Sequence, residues 1–308
     1  FVPSGLLTVN DTVALRSFLT ETCTQMWCST YAIRPSKLFE GAEQRLCIFV
    51  AHKSCGPTKS LFSSSYRHWN IEERQTLFST LVYAPTCYHK RLKRIAQVGT
   101  VLSQNVFGKL ESSAIQTISS CFSISADSII MHYHRSPRYW IRAINFEPYF
   151  KSPTKTRSVS HFRDLHFKSE SIGEFITALL NSSLFFYWFV TIGNGRNITE
   201  TDVAEMPIGD VEDCICERIT VLFKKLMADY NRNSFVRVRK DCEFQEFQQD
   251  HSKPIIDEID TVLAKHYGFT DEELDFIINY DIKYRMGDEL NEREVQIQNV
   301  EQQETPTP

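Results

Sequence analysis

An apolar–polar–apolar segment near the start of the chain places the tightest constraint on the fold. Residues 31–33 and residues 46–50 are strand-length runs rich in β-branched and aromatic side chains. Pro35 and Gly41 break the chain between them. The pattern predicts a β-hairpin whose tip is cationic.

The hairpin tip carries one aromatic side chain, Phe39, among charged ones. An aromatic near a hairpin tip more often packs under its own loop than binds a ligand, so both interpretations stay open on physical grounds. Arg34, Lys37 and Arg45 are candidates for phosphate contacts. The alternative is pairing with the glutamates of the same tip, which would contribute little stability if exposed.

A strand end and a helix precede the hairpin. Residues 1–5 have the pattern of a strand end, and Asn10 or Asp11 can cap the helix that follows. Strand, helix and hairpin in this order form the closing end of an α/β sheet. The apolar side of the helix is predicted to consist of Val13, Leu15, Phe18 and Leu19.

These motifs resemble the second half of the catalytic domain of N6-adenine DNA methyltransferases, in particular TaqI-type enzymes and fused type IIG restriction–modification proteins. The residues that carry the resemblance are Val2-Pro3-Ser4-Gly5, the Asp11 to Leu19 helix, and Ile33-Arg34-Pro35-Ser36, Leu38-Phe39, Gly41 and Gln44-Arg45-Leu46. Residues 178–188, 193–199 and 202–208 resemble the target-recognition domain of that family, and residues 272–287 resemble the way many members end. The resemblance therefore runs from residue 1 to about residue 287.

The resemblance implies a Rossmann-like methyltransferase sheet and an adenine that is flipped out of the duplex. Phe39 matches the aromatic that stacks on this base, which is its implied catalytic role. S-adenosylmethionine is the implied cofactor of the full-length protein. However, the chain contains no Gly-x-Gly-x-x-Gly and no Pro-Pro loop, which would hold the cofactor and the adenine amine. We expect a missing N-terminal catalytic region, and an inactive chain that binds no cofactor alone.

Positive charge is concentrated in the middle of the chain. Residues 82–168 contain 13 Lys and Arg against 4 Asp and Glu, although the net charge of the whole chain is −4. Basic, aromatic and hydroxyl side chains alternate in three runs, at 88–94, 132–140 and 151–157, as expected of double-stranded DNA binding. For any single run, the alternative to DNA binding is a solvent-exposed surface without a ligand. The candidate DNA contacts in and beyond these runs are Arg135, Arg138, Lys155, Arg157 and Arg196.

The predicted fold class is mixed α/β followed by α+β. The expected divisions are the end of a catalytic domain at 1–53, a connector with room for one strand at 54–73, a target-recognition domain at 74–208, C-terminal helices at 209–287 and a disordered tail at 288–308. Within them, we predict strands at 128–133 and 139–144 and helices at 171–180, 218–230, 253–266 and 271–285. The basic side chains should share one face with the hairpin tip, because one duplex must touch both.

Other features narrow the function class. The nine cysteines form no Cys-x-x-Cys, which argues against zinc, and apolar neighbours of several suggest buried free thiols and a cytoplasmic protein. No run approaches the length of a membrane span. Two rival functions stay open: a non-catalytic DNA-binding specificity subunit, which would use the same basic domain, and a nuclease. The nuclease pattern Asp281-x-Lys283 has no partner in the sequence, so any nuclease would lie outside this chain.

Overall fold

The computed structural model describes residues 1–53, 57–137, 139–154, 162–239 and 241–287. The strands are β1 (Val2–Pro3), β2 (Cys23–Tyr31), β3 (Leu46–Lys53), β4 (Ser60–Arg67), β5 (Ala84–Thr86), β6 (Tyr88–His89), β7 (Arg94–Ile95), β8 (Ile129–His134), β9 (Ala143–Ile144), β10 (Phe150–Lys151), β11 (Phe162–Phe167), β12 (Ser234–Arg239) and β13 (Cys242–Phe247). The α-helices are α1 (Gly5–Thr8), α2 (Val13–Thr22), α3 (Val101–Ser112), α4 (Glu170–Asn181), α5 (Ser183–Ile192), α6 (Glu200–Ala204), α7 (Asp213–Arg232), α8 (Lys253–Tyr267), α9 (Asp271–Ile278) and α10 (Ile282–Arg285).

The N-terminal part of the chain builds a five-stranded mixed sheet in the order β1-β3-β2-β4-β5. Strand β3 is antiparallel to both β1 and β2, whereas β4 is parallel to β2. Strands β1, β2 and β4 therefore run in one direction, and their carboxyl ends meet at the same edge of the sheet.

The predicted hairpin is present, but its first strand lies earlier in the chain than the sequence suggested. Strand β2 ends at Tyr31, where the predicted strand begins, and Tyr31 pairs with Leu46 beside the loop. The chain then leaves the sheet at Ala32 and reaches Pro35, which has no amide to continue the ladder. Strand β4 occupies the connector, where one strand had been allowed for.

The helix predicted after β1 is present as α2, but only part of the expected face is buried. Leu19 packs against the core of the sheet, whereas Leu15 and Phe18 are exposed and Arg16 is the residue of α2 that is fully buried. The Arg16 guanidinium donates hydrogen bonds to the carbonyls of Leu6 and Val9, both at 2.8 Å. Buried backbone acceptors therefore orient this helix together with the packing of Leu19.

The remaining sequence predictions are confirmed in part. Strand β8 and helix α4 lie where they were predicted, whereas the strand predicted at 139–144 is limited to β9. Helices α7 and α8 match their predictions, and Thr270 and Glu273 form the expected capping box. The last predicted helix is interrupted at Asp281, which adopts a positive φ of 54° and separates α9 from α10. The hairpin of β12 and β13 was not predicted, because 209–287 was read as helical.

The main core is built around α4 and α5. Every residue of α5 is buried, and the Asp260 carboxylate accepts hydrogen bonds from the amides of Ser183 and Leu184 at its start, both at 3.2 Å. Burial raises the pKa of Asp260 to about 6. No single helix of the described residues is long and apolar enough to cross a membrane, although α4 and α5 together, bent by 68°, satisfy that test of length and composition.

Candidate nucleic-acid interface

The candidate interface lies at the edge where the parallel strands end. The amide of Ala32, just after β2, donates a 2.8 Å hydrogen bond to the carbonyl of Arg67, the last residue of β4. The hairpin loop, residues 32–45, therefore emerges beside the segment that follows β4, residues 68–83. Both segments therefore lie at the edge of the sheet where β2 and β4 end.

The two segments share a small hydrophobic core. Its buried members are Tyr31, Leu38, Trp69 and Leu77. Arg74 reinforces the contact, because its guanidinium donates a 3.0 Å hydrogen bond to the Leu38 carbonyl and lies 5.7 Å from the centroid of the Trp69 ring. We call the loop, the following segment and this core the hairpin platform.

Phe39 protrudes from the hairpin platform. Its neighbour Leu38 is buried in the shared core, whereas 46% of Phe39 is exposed. Its ring meets the Phe1 ring edge-on, with the centroids 5.2 Å apart. An aromatic side chain held by its neighbour, with much of its surface open, can stack on a planar ligand.

The arginines of the hairpin platform are held by neutral groups. The Arg45 Nε donates a 2.8 Å hydrogen bond to the Tyr66 hydroxyl, and the Arg67 guanidinium donates to Oγ1 of Thr80 at 2.7 Å. Arg34 is exposed. Among the described residues, no carboxylate lies within salt-bridge distance of Arg34, Arg45, Arg67 or Arg74. Their positive charge therefore stays available to an anion.

Lys37 differs from these arginines. Its Nζ lies 2.5 Å from a carboxylate oxygen of Glu43, and hydrogen bonding from Lys37 lowers the pKa of that carboxyl. This is the pairing within the tip that the sequence left open. The charge of Arg34 contributes less than Lys37 to this lowering, so Glu43 offsets the charge of Lys37 and part of that of Arg34.

The loop after α5, residues 193–199, packs against the ring that holds Arg45. A Cβ at Gly195 would lie 2.7 Å from Cζ of Tyr66, so only a glycine fits this approach, and its φ of +66° also favours glycine. Arg196 follows and is exposed. The amide of Ile198 then donates a 2.8 Å hydrogen bond to the carbonyl of Arg135.

The structure thus connects several of the predicted site residues. The Arg45 side chain, the loop of Arg196 and the backbone of Arg135 are linked through Tyr66 and Ile198, in neighbouring loops. Arg138, Lys155 and Arg157 lie outside the described residues. Sequence reasoning missed Tyr66, Arg67 and Arg74, which were placed in or beside a connector; the run Tyr66-Arg67-His68-Trp69, basic and aromatic in alternation, was the available signal.

The basic run at 88–94 is engaged inside the protein, unlike the hairpin platform. Arg94 is buried and lies 2.5 Å from a carboxylate oxygen of Asp202. Arg91 contacts both Glu111 and Glu205, and His89 also contacts Glu111. Lys90 and Lys93 stay exposed. The expected phosphate contacts of this run are therefore reduced to its two lysines.

The other two runs show the same tendency where they are described. His132 contacts Asp164 at 2.9 Å, and Lys151 lies 3.3 Å from Glu243. Antiparallel pairing of β8 with β11 places His132 opposite Asp164, so the sheet register creates this contact. Asp164 lies within residues 82–168, whereas Glu243 lies outside that range, so part of this pairing comes from a distant strand.

A cleft lies next to the hairpin platform. Its volume is about 290 Å³, and Tyr66, His68, Thr80 and Asp281 line it. The Nδ1 atom of His68 lies 3.0 Å from a carboxylate oxygen of Asp281. A neighbouring cavity of about 500 Å³ shares Tyr66 and Asp281 but adds the carboxylates of Glu272 and Asp275, which disfavour phosphate.

The described residues provide neither a metal site nor a cofactor cradle. They contain no group of three or more His, Cys, Asp or Glu side chains placed to hold a metal ion. The turns after β1, β2 and β4 are not glycine-rich, and a Cβ at Gly5 would already meet Val9 at 3.0 Å. Because close approach of a ligand to a turn's backbone favours glycine, these turns do not fit S-adenosylmethionine.

No protein-family model matches the chain, and no curated protein sequence matches it. An interpretation of the function therefore depends on the geometry of the site.

Proposed function

We propose that this chain is the C-terminal part of a site-specific, S-adenosylmethionine-dependent DNA (adenine-N6) methyltransferase, and that it recognises double-stranded DNA and helps to hold the flipped adenine. The main support for this proposal is the hairpin platform, where a half-exposed Phe39 lies among arginines that have no carboxylate partner in the described part of the chain. The strand, helix and hairpin order of β1, α2, β2 and β3 supports the same proposal.

In this proposal, Phe39 supplies one stacking face for the extrahelical base. Stacking of a base on an aromatic side chain contributes ~1–3 kcal/mol. Arg34 and Arg45 contact phosphates around that nucleotide, which fixes its position without reading sequence. Arg135 and Arg196, in neighbouring loops, contact the adjoining duplex, together with Arg138, Lys155 and Arg157.

The cofactor belongs to another part of the protein in this proposal. S-adenosylmethionine supplies the methyl group when bound, but the turns at the sheet edge do not fit it. An N-terminal region would pack beside β1, whose second edge has no strand partner among the described residues, and over the exposed Leu15 and Phe18 of α2. An open sheet edge beside an apolar helix face favours a further layer of protein.

The first test is DNA binding by the chain itself. Fluorescence anisotropy with a short labelled duplex should show binding that weakens steeply as salt rises, because arginine contacts release counterions. Salt-independent binding, or none, would contradict the proposal. Calorimetry with S-adenosylmethionine should give no binding heat, and micromolar affinity would show that the chain holds a cofactor site after all.

A further inference from the structure

The segment 68–83 presents a second exposed aromatic side chain on the hairpin platform. Within it, Leu77 is buried in the core of the hairpin platform and Leu81 packs against that core. Phe78 follows Leu77 but is 54% exposed, and its ring meets the Tyr31 ring edge-on with the centroids 5.9 Å apart. The ring of Phe78 thus contacts Tyr31 of the core, but about half of the side chain is exposed to solvent although an apolar core lies next to it.

The segment around Phe78 combines exposed apolar side chains with arginines. Val82 and Tyr83 are also exposed, which extends the apolar surface. Arg67 fixes the same segment through its hydrogen bond to Thr80. Neither Arg67 nor Arg74 has a carboxylate partner in the ranges that the structure describes. An exposed apolar patch bordered by unpaired arginines matches a ligand with planar apolar faces and negative charge, which is a nucleic-acid strand.

We propose that Phe78 stacks on a nucleobase of the bound DNA, as a second aromatic contact on the hairpin platform. This inference rests on the proposed function and extends it. When a nucleotide leaves the duplex, its neighbours lose a stacking partner, and proteins that deform DNA often insert an apolar side chain at such a step. Phe39 faces the extrahelical base, and Phe78 contacts a base that stays in or next to the duplex.

Phe78 and Phe39 stand on one core, so their relative position is fixed before DNA binds. Leu38 and Leu77, the buried neighbours of the two aromatics, belong to the same cluster. Arg74 joins the two segments through the Leu38 carbonyl. Such preorganisation removes the entropy cost of ordering either side chain on binding. A second stacking contact from this position adds affinity for unstacked bases without adding charge.

The test measures how tightly three variants of the whole chain, each lacking one exposed phenylalanine, bind two DNA duplexes. Phe78→Ala and Phe39→Ala remove the two proposed stacking residues, and Phe235→Ala, at a side chain 42% exposed on β12, is the matched control. The probes are a fully paired duplex and the same duplex with one mismatched base pair, which unstacks at lower cost. Affinity is measured at several salt concentrations.

We expect Phe78→Ala to weaken binding of the mismatched duplex about tenfold, with the salt slope unchanged, because the lost contact is uncharged. Phe78→Trp should restore the affinity, and Phe235→Ala should have no effect. Equal affinities for Phe78→Ala and Phe235→Ala, with wild-type binding intact, would overturn this inference alone. Absence of salt-dependent binding by the wild-type chain would instead overturn the proposed function. A change of oligomeric state in Phe78→Ala would overturn the stacking role in favour of a protein contact.

Discussion

Two basic regions of this molecule look alike in sequence and differ in what their charges contact. In the run at 88–94, Arg91 and Arg94 contact the carboxylates of Glu111, Glu205 and Asp202. In the hairpin platform, the arginines donate to a carbonyl or a hydroxyl and meet no carboxylate of the described residues. Each region contains four Lys and Arg, although residues 32–45 and 68–83 also contain four Asp and Glu, so the second region differs by leaving its arginines without an ion pair in the described part of the chain rather than by a net positive charge. The difference teaches that the partner of an arginine, rather than its presence, decides between a structural and a binding role.

The largest expected effect, and the first test of this comparison, concerns the contribution of the buried Arg94–Asp202 pair to the free energy of unfolding. Arg94→Ala should lower the free energy of unfolding by about 3–5 kcal/mol, because the Asp202 carboxyl would be left buried without its ion-pair partner. Arg34→Ala, at an exposed position, should change it by less than about 0.5 kcal/mol. Urea denaturation of both variants measures the difference. Similar values for the two would remove the distinction between the regions.

The second prediction concerns Phe39 in the chain joined to its N-terminal region. Phe39→Ala should lower methylation turnover by about ten- to a hundredfold, because one stacking face of the extrahelical adenine is lost. The recognised sequence should not change, since stacking reads no base edge. Methylation of a randomised-site DNA library gives both quantities. An altered sequence preference at an unchanged rate would show that Phe39 does not stack on the target base.

The third prediction concerns how the stability of the run at 88–94 depends on pH through Glu111. Burial by itself would raise the pKa of Glu111, but hydrogen bonds and charge from His89 and Arg91 lower it below its ordinary value. The stabilisation is therefore present above a pH of about 4.5 and lost as pH falls through the lowered pKa. Glu111→Gln should cost about 1–3 kcal/mol at neutral pH and flatten the acid-side loss of stability.

Urea denaturation at several pH values measures this effect. Glu43→Gln is the control, because Glu43 also has a lowered pKa but lies exposed on the hairpin platform. That variant should leave the pH profile of stability unchanged. A wild-type profile retained by Glu111→Gln would show that acid acts on other groups.

The smallest expected effect is the most direct measure of free charge. Arg34→Ala should reduce the slope of log affinity against log salt by about one, and weaken duplex binding a few-fold at all sequences. Arg91→Ala should leave that slope unchanged, because its guanidinium is already neutralised by Glu111 and Glu205. Equal slopes in the two variants would mean that the platform arginine offers no more charge to DNA than the paired one.

Local sequence signals predicted the parts of the fold that depend on neighbours. The capping box at Thr270 and Glu273 and the helical stripe of α7 involve residues a few positions apart, so the sequence displays them directly. The hairpin of β12 and β13 was missed although Val236 and Val238 alternate with arginines before a short turn, a strand signal that the helical interpretation overrode.

Contacts between distant residues could not be predicted in the same way. The carboxylates that contact Arg94 and His68 are Asp202 and Asp281, more than a hundred positions further along the chain. Counting charges within a window therefore overstated the field of the run at 88–94. The same limitation applies to α2, where the apolar stripe suggested burial but Arg16 found backbone carbonyls of the preceding turn.

The contacts of Tyr66 bring two loops to one end of its ring. Its hydroxyl accepts a 2.8 Å hydrogen bond from Arg45, and a Cβ at Gly195 would lie 2.7 Å from its Cζ and 2.9 Å from its hydroxyl oxygen. The loop that bears Arg196 and the loop that bears Phe39 and Arg45 therefore meet at this hydroxyl. A side chain at position 195 would displace the ring, and the guanidinium that donates to the ring hydroxyl would have to move with it.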